Sequence, residues 1–209
     1  MAKEEKPRAV YWMDNKLYLN ITNRCSNCCY FCLKNFKRGV AGFNLKLTEE
    51  PRLDQITAEL ENILFMRNWA EAVFCGFGEP TERFDVLLAV AGWIRQHYGR
   101  PLKLRLNTNG HGYVLNGGRD VAAELRAAGL NRVSVSLNAG EGETYLEICK
   151  PSFAGAYQAV IDFVKKAKPH FEVEVTAVRV PEVDLEKAQA VAICLGVKFR
   201  IRDYIPCCY

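Results

Sequence analysis

The sequence predicts an α/β fold carrying a parallel sheet with right-handed crossovers, and three observations support this. Short apolar runs alternate with longer stretches of helical period, so that six strand-like and five helix-like segments follow one another along the chain. The strand-like runs end in Gly, Asn or Pro turns. The 209 residues suffice for one well-buried domain and are short for two, and a composition of 49% hydrophobic and 25% charged residues excludes disordered and collagenous classes.

In chain order, residues 1–16 read as a charged leader and 17–22 as the first strand, which runs into a loop holding Cys25, Cys28, Cys29 and Cys32. Residues 34–43 form a basic, glycine-containing surface loop. Thr48, Glu49, Glu50 and Pro51 announce a helix over 53–66: a capping threonine, acids for the helix dipole and a first-turn proline. Its buried face carries Ile56, Leu60, Ile63 and Leu64. Residues 71–75 form the second strand, and Val86, Leu87, Val90, Ile94 and Tyr98 mark the next helix. The third strand (102–106) alternates cleanly. A helix within 118–129, ended by Gly129, leads to the fourth strand, 132–137. Residues 141–151 are expected as a loop with about one helical turn. A helix over 156–168 and a strand over 171–178 make the fifth unit; a helix over 185–195, capped by Gly196, and a strand over 197–201 complete the sixth. One domain over 17–209 is expected, without room for a second cluster-binding domain.

The net charge of +4 is spread along the chain, which argues weakly for an anionic cofactor or substrate and does not indicate a nucleic-acid surface. Nine cysteines without a signal peptide suggest a reducing cytoplasm, and no apolar run approaches membrane-spanning length.

The chemistry concentrates in the cysteine loop. Read as Cys25-x3-Cys29-x2-Cys32, it supplies three soft thiolates, enough to hold three irons of a cubane while the fourth keeps no protein ligand; Cys28 is then a non-ligand. Two other readings remain open: a cramped tetrathiolate zinc site using Cys28 as well, and four structural cysteines. Further candidates fall where strands end, at the edge of a parallel barrel that carries chemistry. These are Gly76, Phe77, Gly78, Glu79 and Pro80; Asn107, Thr108 and Asn109; Ser136 and Asn138; Arg179; and Arg202 and Tyr204. Lys150 is a candidate substrate contact, and His111 reads as polar surface or a cavity residue. Cys207 and Cys208 are bystanders or late contributors at the barrel mouth, and Cys75, Cys149 and Cys194 are core or rim thiols.

The cysteine spacing, Phe31 immediately before the last cysteine and the Gly-Phe-Gly-Glu-Pro turn together resemble the radical S-adenosylmethionine (radical SAM) superfamily. Phe77 departs from the family's Gly-Gly-Glu-Pro pattern. The resemblance implies a partial (βα)6 barrel open on one side, a [4Fe-4S] cluster on Cys25, Cys29 and Cys32, and SAM chelating the free iron. SAM would then be cleaved reductively to methionine and a 5′-deoxyadenosyl radical that abstracts hydrogen from a small-molecule or peptide substrate. It further implies SAM contacts from Phe31, Gly76, Phe77, Gly78, Glu79, Pro80, Asn107, Asn109, Ser136, Asn138 and Arg179. In that role the glycines let the backbone approach the ligand, Glu79 or nearby carbonyls accept from the SAM ammonium, and Arg179 pairs with its carboxylate. Lys150, Arg202 and Tyr204 would touch substrate or SAM. Residues 17–25 and 133–139 are similar to the short TatD-associated radical SAM proteins, which suggests association with a TatD-like hydrolase. An electron donor such as flavodoxin or ferredoxin and oxygen sensitivity follow from the cluster chemistry. A glycyl-radical activating enzyme and a non-catalytic zinc or iron-sulfur scaffold are the competing functions.

Overall fold

The computed structural model describes residues 6–99 and 101–204. Its main sheet holds seven strands: β1 (Val10–Met13), β2 (Lys16–Leu19), β5 (Glu71–Phe74), β6 (Lys103–Thr108), β7 (Arg132–Ser136), β8 (Glu172–Arg179) and β9 (Lys198–Asp203), in that spatial order. A small antiparallel hairpin, β3 (Gly39–Val40) and β4 (Phe43–Asn44), lies between β2 and β5 in the chain. All pairings from β2 to β9 are parallel. The helices are α1 (Leu53–Leu64), α2 (Phe84–His97), α3 (Gly112–Leu115), α4 (Val121–Ala127), α5 (Gly142–Cys149), α6 (Ala156–Ala167) and α7 (Leu185–Leu195).

The six expected strands are present, within one or two residues except at the first, which stops at Leu19, but the sequence reading needs five corrections. The stretch expected as a leader contains β1, which pairs antiparallel with β2 through Val10↔Leu19 and Met13↔Lys16. The basic loop contains the β3–β4 hairpin. Residues 141–151, expected as a loop, contain the two-turn helix α5, and the short α3 was not expected. Thr48 and Pro51 lie before α1: its N-cap is Arg52, whose backbone N–H donates to the Gln55 side chain at 2.8 Å. Elsewhere the stop signals hold. Asp184 accepts from the Glu186 and Lys187 amides at the start of α7, and Gly196 ends it at φ +66°, a conformation glycine adopts without steric cost.

Strand alternation divides the sheet into two unlike faces. Leu17, Leu19, Ala72, Phe74, Leu104, Leu106, Val133, Val135, Val173, Val175 and Ala177 share one face and pack with helix residues such as Leu60, Leu87, Leu125 and Phe163 in a single buried core. Each such Leu or Phe contributes about 1.5–3 kcal/mol by leaving water. The opposite face is polar. Glu71 lies 3.4 Å from Arg105 and 3.5 Å from Arg132, while Glu174 accepts from Ser134 at 2.8 Å and pairs with Arg200 at 2.9 Å. Because Phe163 is buried at 1% exposure between α6 and the sheet, Phe163→Ala should lower stability by about 3–5 kcal/mol, read as a shift in urea midpoint with an unchanged slope.

Candidate radical cofactor site

The cysteine loop begins where β2 ends and is held from three sides. The C-terminal carbonyls of α5, which have no partner within the helix, are one anchor: Cys28 N–H donates to the Cys149 and Lys150 carbonyls at 2.9 and 3.2 Å, and Tyr30 N–H to that of Ile148 at 3.3 Å. Lys150 thus contributes its backbone, at φ 44°, while its side chain is exposed. The second anchor is a buried network. Asn109 Nδ2 donates to Ser26 Oγ at 2.9 Å, Ser26 Oγ lies 2.8 Å from His111 Nδ1, His111 Nε2 lies 3.0 Å from Tyr145 Oη, and Asn27 Nδ2 donates to that same Oη at 3.0 Å. His111 is fully buried, contrary to its reading as polar surface, and burial lowers its pKa from 6.5 to about 4.

The third anchor is the turn after β5. Gly76 and Gly78 serve packing against the chain leaving β2. A Cβ on Gly76 would stand 2.0 Å from Asn20 Oδ1, and one on Gly78 would stand 2.5 Å from the carbonyl oxygens of Thr22 and Arg24. Phe77 occupies a small apolar cluster with Tyr11 and Leu45, which accounts for a large residue where the family motif has glycine. Glu79 does not present a free carboxylate. Its Oε1 accepts from Thr81 N, Thr81 Oγ1 and Thr108 Oγ1 at 3.0, 2.7 and 2.8 Å, and its Oε2 from Asn109 N at 2.6 Å. Burial pushes the Glu79 carboxyl up against these four donors, which favour the anion. Pro80 opens a short 3-10 helix over Pro80–Arg83 for which Glu79 is the cap. In this structure the glycines admit the neighbouring backbone, and the carboxylate fixes the loop carrying Asn109.

Cys25, Cys29 and Cys32 are half-buried on the loop, and Cys28 is exposed. Cys29 is close enough to influence both other thiols electrostatically, and Asn109 Nδ2 lies 3.8 Å from Cys25 Sγ. Burial raises Cys25 to about 12 and also raises Cys32; at Cys29 a hydrogen bond with Cys149 is the larger cause and burial the second. Among the described residues no three Cys, His, Asp or Glu side chains form a group that could hold a metal ion, which favours neither the zinc nor the cluster reading. Three thiols on one loop, Cys25, Cys29 and Cys32, fit a three-cysteine cluster in donor chemistry. Asn107 Oδ1 and Arg202 Nε are both buried without a partner.

The remaining candidates divide by strand parity. Ser136, Asn107 and Arg202 lie on the polar face. Arg202 Nη2 donates to Asn138 Oδ1 at 3.1 Å and to Ser136 Oγ at 3.4 Å, while Asn138 Nδ2 reaches Cys149 Sγ at 3.4 Å. Arg179 shares the parity of Val175 and Ala177 on the helix-packed face, its side chain is 60% exposed, and it pairs with Asp203 at 3.3 Å. The structure therefore separates Arg179 from the site and brings in Arg202. Phe31 packs edge-on to Tyr30 at 5.4 Å, and Tyr204 is half-buried against the core. Cys194 is exposed, and Cys207 and Cys208 lie outside the described residues. Tyr145 was missed by the sequence reading, while Cys149, expected as a core or rim thiol, is buried and in contact with Asn138. The spacing of Tyr145, Ile148 and Cys149 at i, i+3 and i+4 was the available sign of the helix that brings them in.

A parallel sheet with a three-cysteine loop after its first parallel strand defines a class of cluster-binding barrel. The family model of the Radical SAM superfamily matches residues 19–192, and the chain belongs to that superfamily, whose cofactors are a [4Fe-4S] cluster and SAM. It is 27% identical over 195 residues to GTP 3′,8-cyclase of Corynebacterium glutamicum (strain R), covering 91% of this chain and 49% of that protein. It is 31% identical over 152 residues to the probable GTP 3′,8-cyclase of Saccharolobus islandicus (strain M.14.25 / Kamchatka #1), covering 72% and 42%. The chain thus spans about half the length of the curated relatives it matches. In fold it is similar to Streptococcus suis SuiB bound to S-adenosylmethionine, at TM-score 0.67, 15% identity and coverage of 93% of this chain and 41% of the other. It is also similar to methylornithine synthase (PylB), at 0.63 and 15%, covering 91% and 53%.

Two predictions follow from the anchors. Gly78→Ala should displace the turn or the cysteine loop, lowering stability by about 1–3 kcal/mol and reducing iron per chain after reconstitution, both measurable on one preparation. For His111, the folded pKa of about 4 lies below the ordinary 6.5, so the unfolded chain binds the extra proton. The stabilisation is complete above pH 6.5 and is lost as pH falls towards 4, roughly 3 kcal/mol in all. The stability-against-pH curve of His111→Gln should lack that part of the slope.

Proposed function

We propose that this chain is a radical SAM enzyme in which Cys25, Cys29 and Cys32 hold the [4Fe-4S] cluster and SAM binds at the C-terminal edge of the sheet. When bound, the cluster and SAM supply a 5′-deoxyadenosyl radical through one-electron cleavage of the sulfonium. The protein's own residues orient and enclose. Glu79 holds Asn109 in place, Asn109 contacts Ser26 and Cys25, and the amides of Cys28 and Tyr30 tie the loop to α5. Ser136, Asn138, Asn107 and Arg202 supply polar atoms on the same face. The observation that carries this reading is the convergence of the cysteine loop, the turn after β5 and the exit of β6 through Glu79 and Asn109.

The substrate that would give up hydrogen in this chemistry is a small molecule or peptide, and GTP, named in the curated relatives, is the first to assay. We further place the protein among the TatD-associated radical SAM proteins, in the cytoplasm, oxygen-sensitive, reduced by a flavodoxin or ferredoxin and accompanied by a TatD-like hydrolase. Among the described residues no helix is long and apolar enough to cross a membrane.

Protein reconstituted without oxygen and reduced with dithionite should convert SAM to 5′-deoxyadenosine, and alanine at Cys25, Cys29 or Cys32 should abolish the product by chromatography. Undiminished turnover by Cys29→Ala would reject the ligand assignment.

A further inference from the structure

Arg202 is a half-buried cation with an unbalanced environment. Its Nη2 has two neutral acceptors, Ser136 Oγ and Asn138 Oδ1, and its Nε has none. Among the described residues it pairs with no carboxylate. The three acidic side chains on the polar face, Glu71, Glu172 and Glu174, are taken by Arg105, Arg132, Lys198 and Arg200. A guanidinium with no carboxylate partner is costly to enclose; burial lowers its pKa, and the Cys75, Cys29 and Cys149 sulfurs act the other way. Asn107, on the same face, leaves a buried acceptor, Oδ1, without a donor, while hydrogen-bonding the Cys75 thiol. The fields of Arg202 and Arg105 both reach that thiol. An oxyanion supplies what Arg202 lacks, and an N–H or O–H on the same molecule supplies what Asn107 lacks.

Resting on the cofactor reading above, we propose that Arg202, with Ser136 and Asn138, is the receptor for a carboxylate or phosphate group of the substrate. A guanidinium N–H donates to either oxyanion, and Nε–H is the donor left without an acceptor while Ser136 and Asn138 take Nη2. The substrate class is thus a small anionic molecule carrying a donor near its anionic group.

The test uses reconstituted protein saturated with SAM and inorganic phosphate as the probe. Phosphate should raise the thermal midpoint of the wild type in a concentration-dependent way, as a ligand specific to the folded state does. In Arg202→Met the shift should vanish while the SAM dissociation constant stays within threefold. Arg202→Lys keeps the charge, so it controls for a folding failure and should weaken phosphate about tenfold. An equal phosphate shift in wild type and Arg202→Met, or no shift in the wild type, overturns the proposal. A loss of more than tenfold in SAM affinity in Arg202→Met also overturns it, by assigning the guanidinium to SAM. Failure of the wild type to bind SAM would instead sink the cofactor reading on which the proposal rests.

Discussion

The site depends on one buried carboxylate. Glu79 sits at 3% exposure and receives four hydrogen bonds, two from its own turn at Thr81 and two from the exit of β6 at Thr108 and Asn109. Each bond to a charged acceptor contributes more than a neutral one, and the four act against the desolvation that raises the carboxyl's pKa. The consequence is geometric. With its backbone fixed by Glu79, Asn109 can send its amide to Ser26 and Cys25 and its Oδ1 to the His111 amide. Two strand exits and the cysteine loop become one rigid unit, and rigidity is what a cofactor needs from its protein when the reactive species must meet a single target atom.

The same economy governs the glycines. At Gly76 and Gly78 the space a side chain would need is occupied by Asn20 and by the carbonyls of Thr22 and Arg24, so the turn after β5 rests directly on the chain entering the cysteine loop. Phe77 between them points into the cluster under the β1–β2 hairpin, so the turn is also fastened from below. A strand that looked like a dispensable leader therefore has a part in the site: β1 supplies Tyr11, which stacks on Tyr18 at 5.0 Å and donates to the Cys75 carbonyl at 3.2 Å.

Much of this was legible because it rests on local rules. Apolar alternation located the six parallel strands, and the cysteine spacing and the Gly-Phe-Gly-Glu-Pro turn identified the loops that meet at their ends. What could not be read was partnership across the fold. Glu79 has the same residue type whether it faces a ligand or Thr108, and only the tertiary contact decides. Arg179 and Arg202 each close a strand, but a one-residue difference in parity sends Arg179 to the helix face beside Asp203 and Arg202 to the polar face. That parity was available from Val173, Val175 and Ala177, and was outweighed by position at the strand end. The full length of α5 escaped because the ten residues between Gly140 and Pro151 read as a loop with about one helical turn, although Tyr145, Ile148 and Cys149 already formed its buried stripe.

The polar face of the sheet also explains where chemistry can occur. Glu71 with Arg105 and Arg132, and Glu174 with Ser134 and Arg200, occupy the earlier positions of their strands with mutually satisfied charges. The later positions on the same face, Asn107 and Arg202, retain buried atoms without partners. A sheet selected only for stability would satisfy or remove such atoms, since each costs free energy. Their position beside the cysteine loop follows from parallel topology, which sends every strand of the barrel towards the same edge and gathers there both the loops that hold a cofactor and the polar atoms that await a ligand.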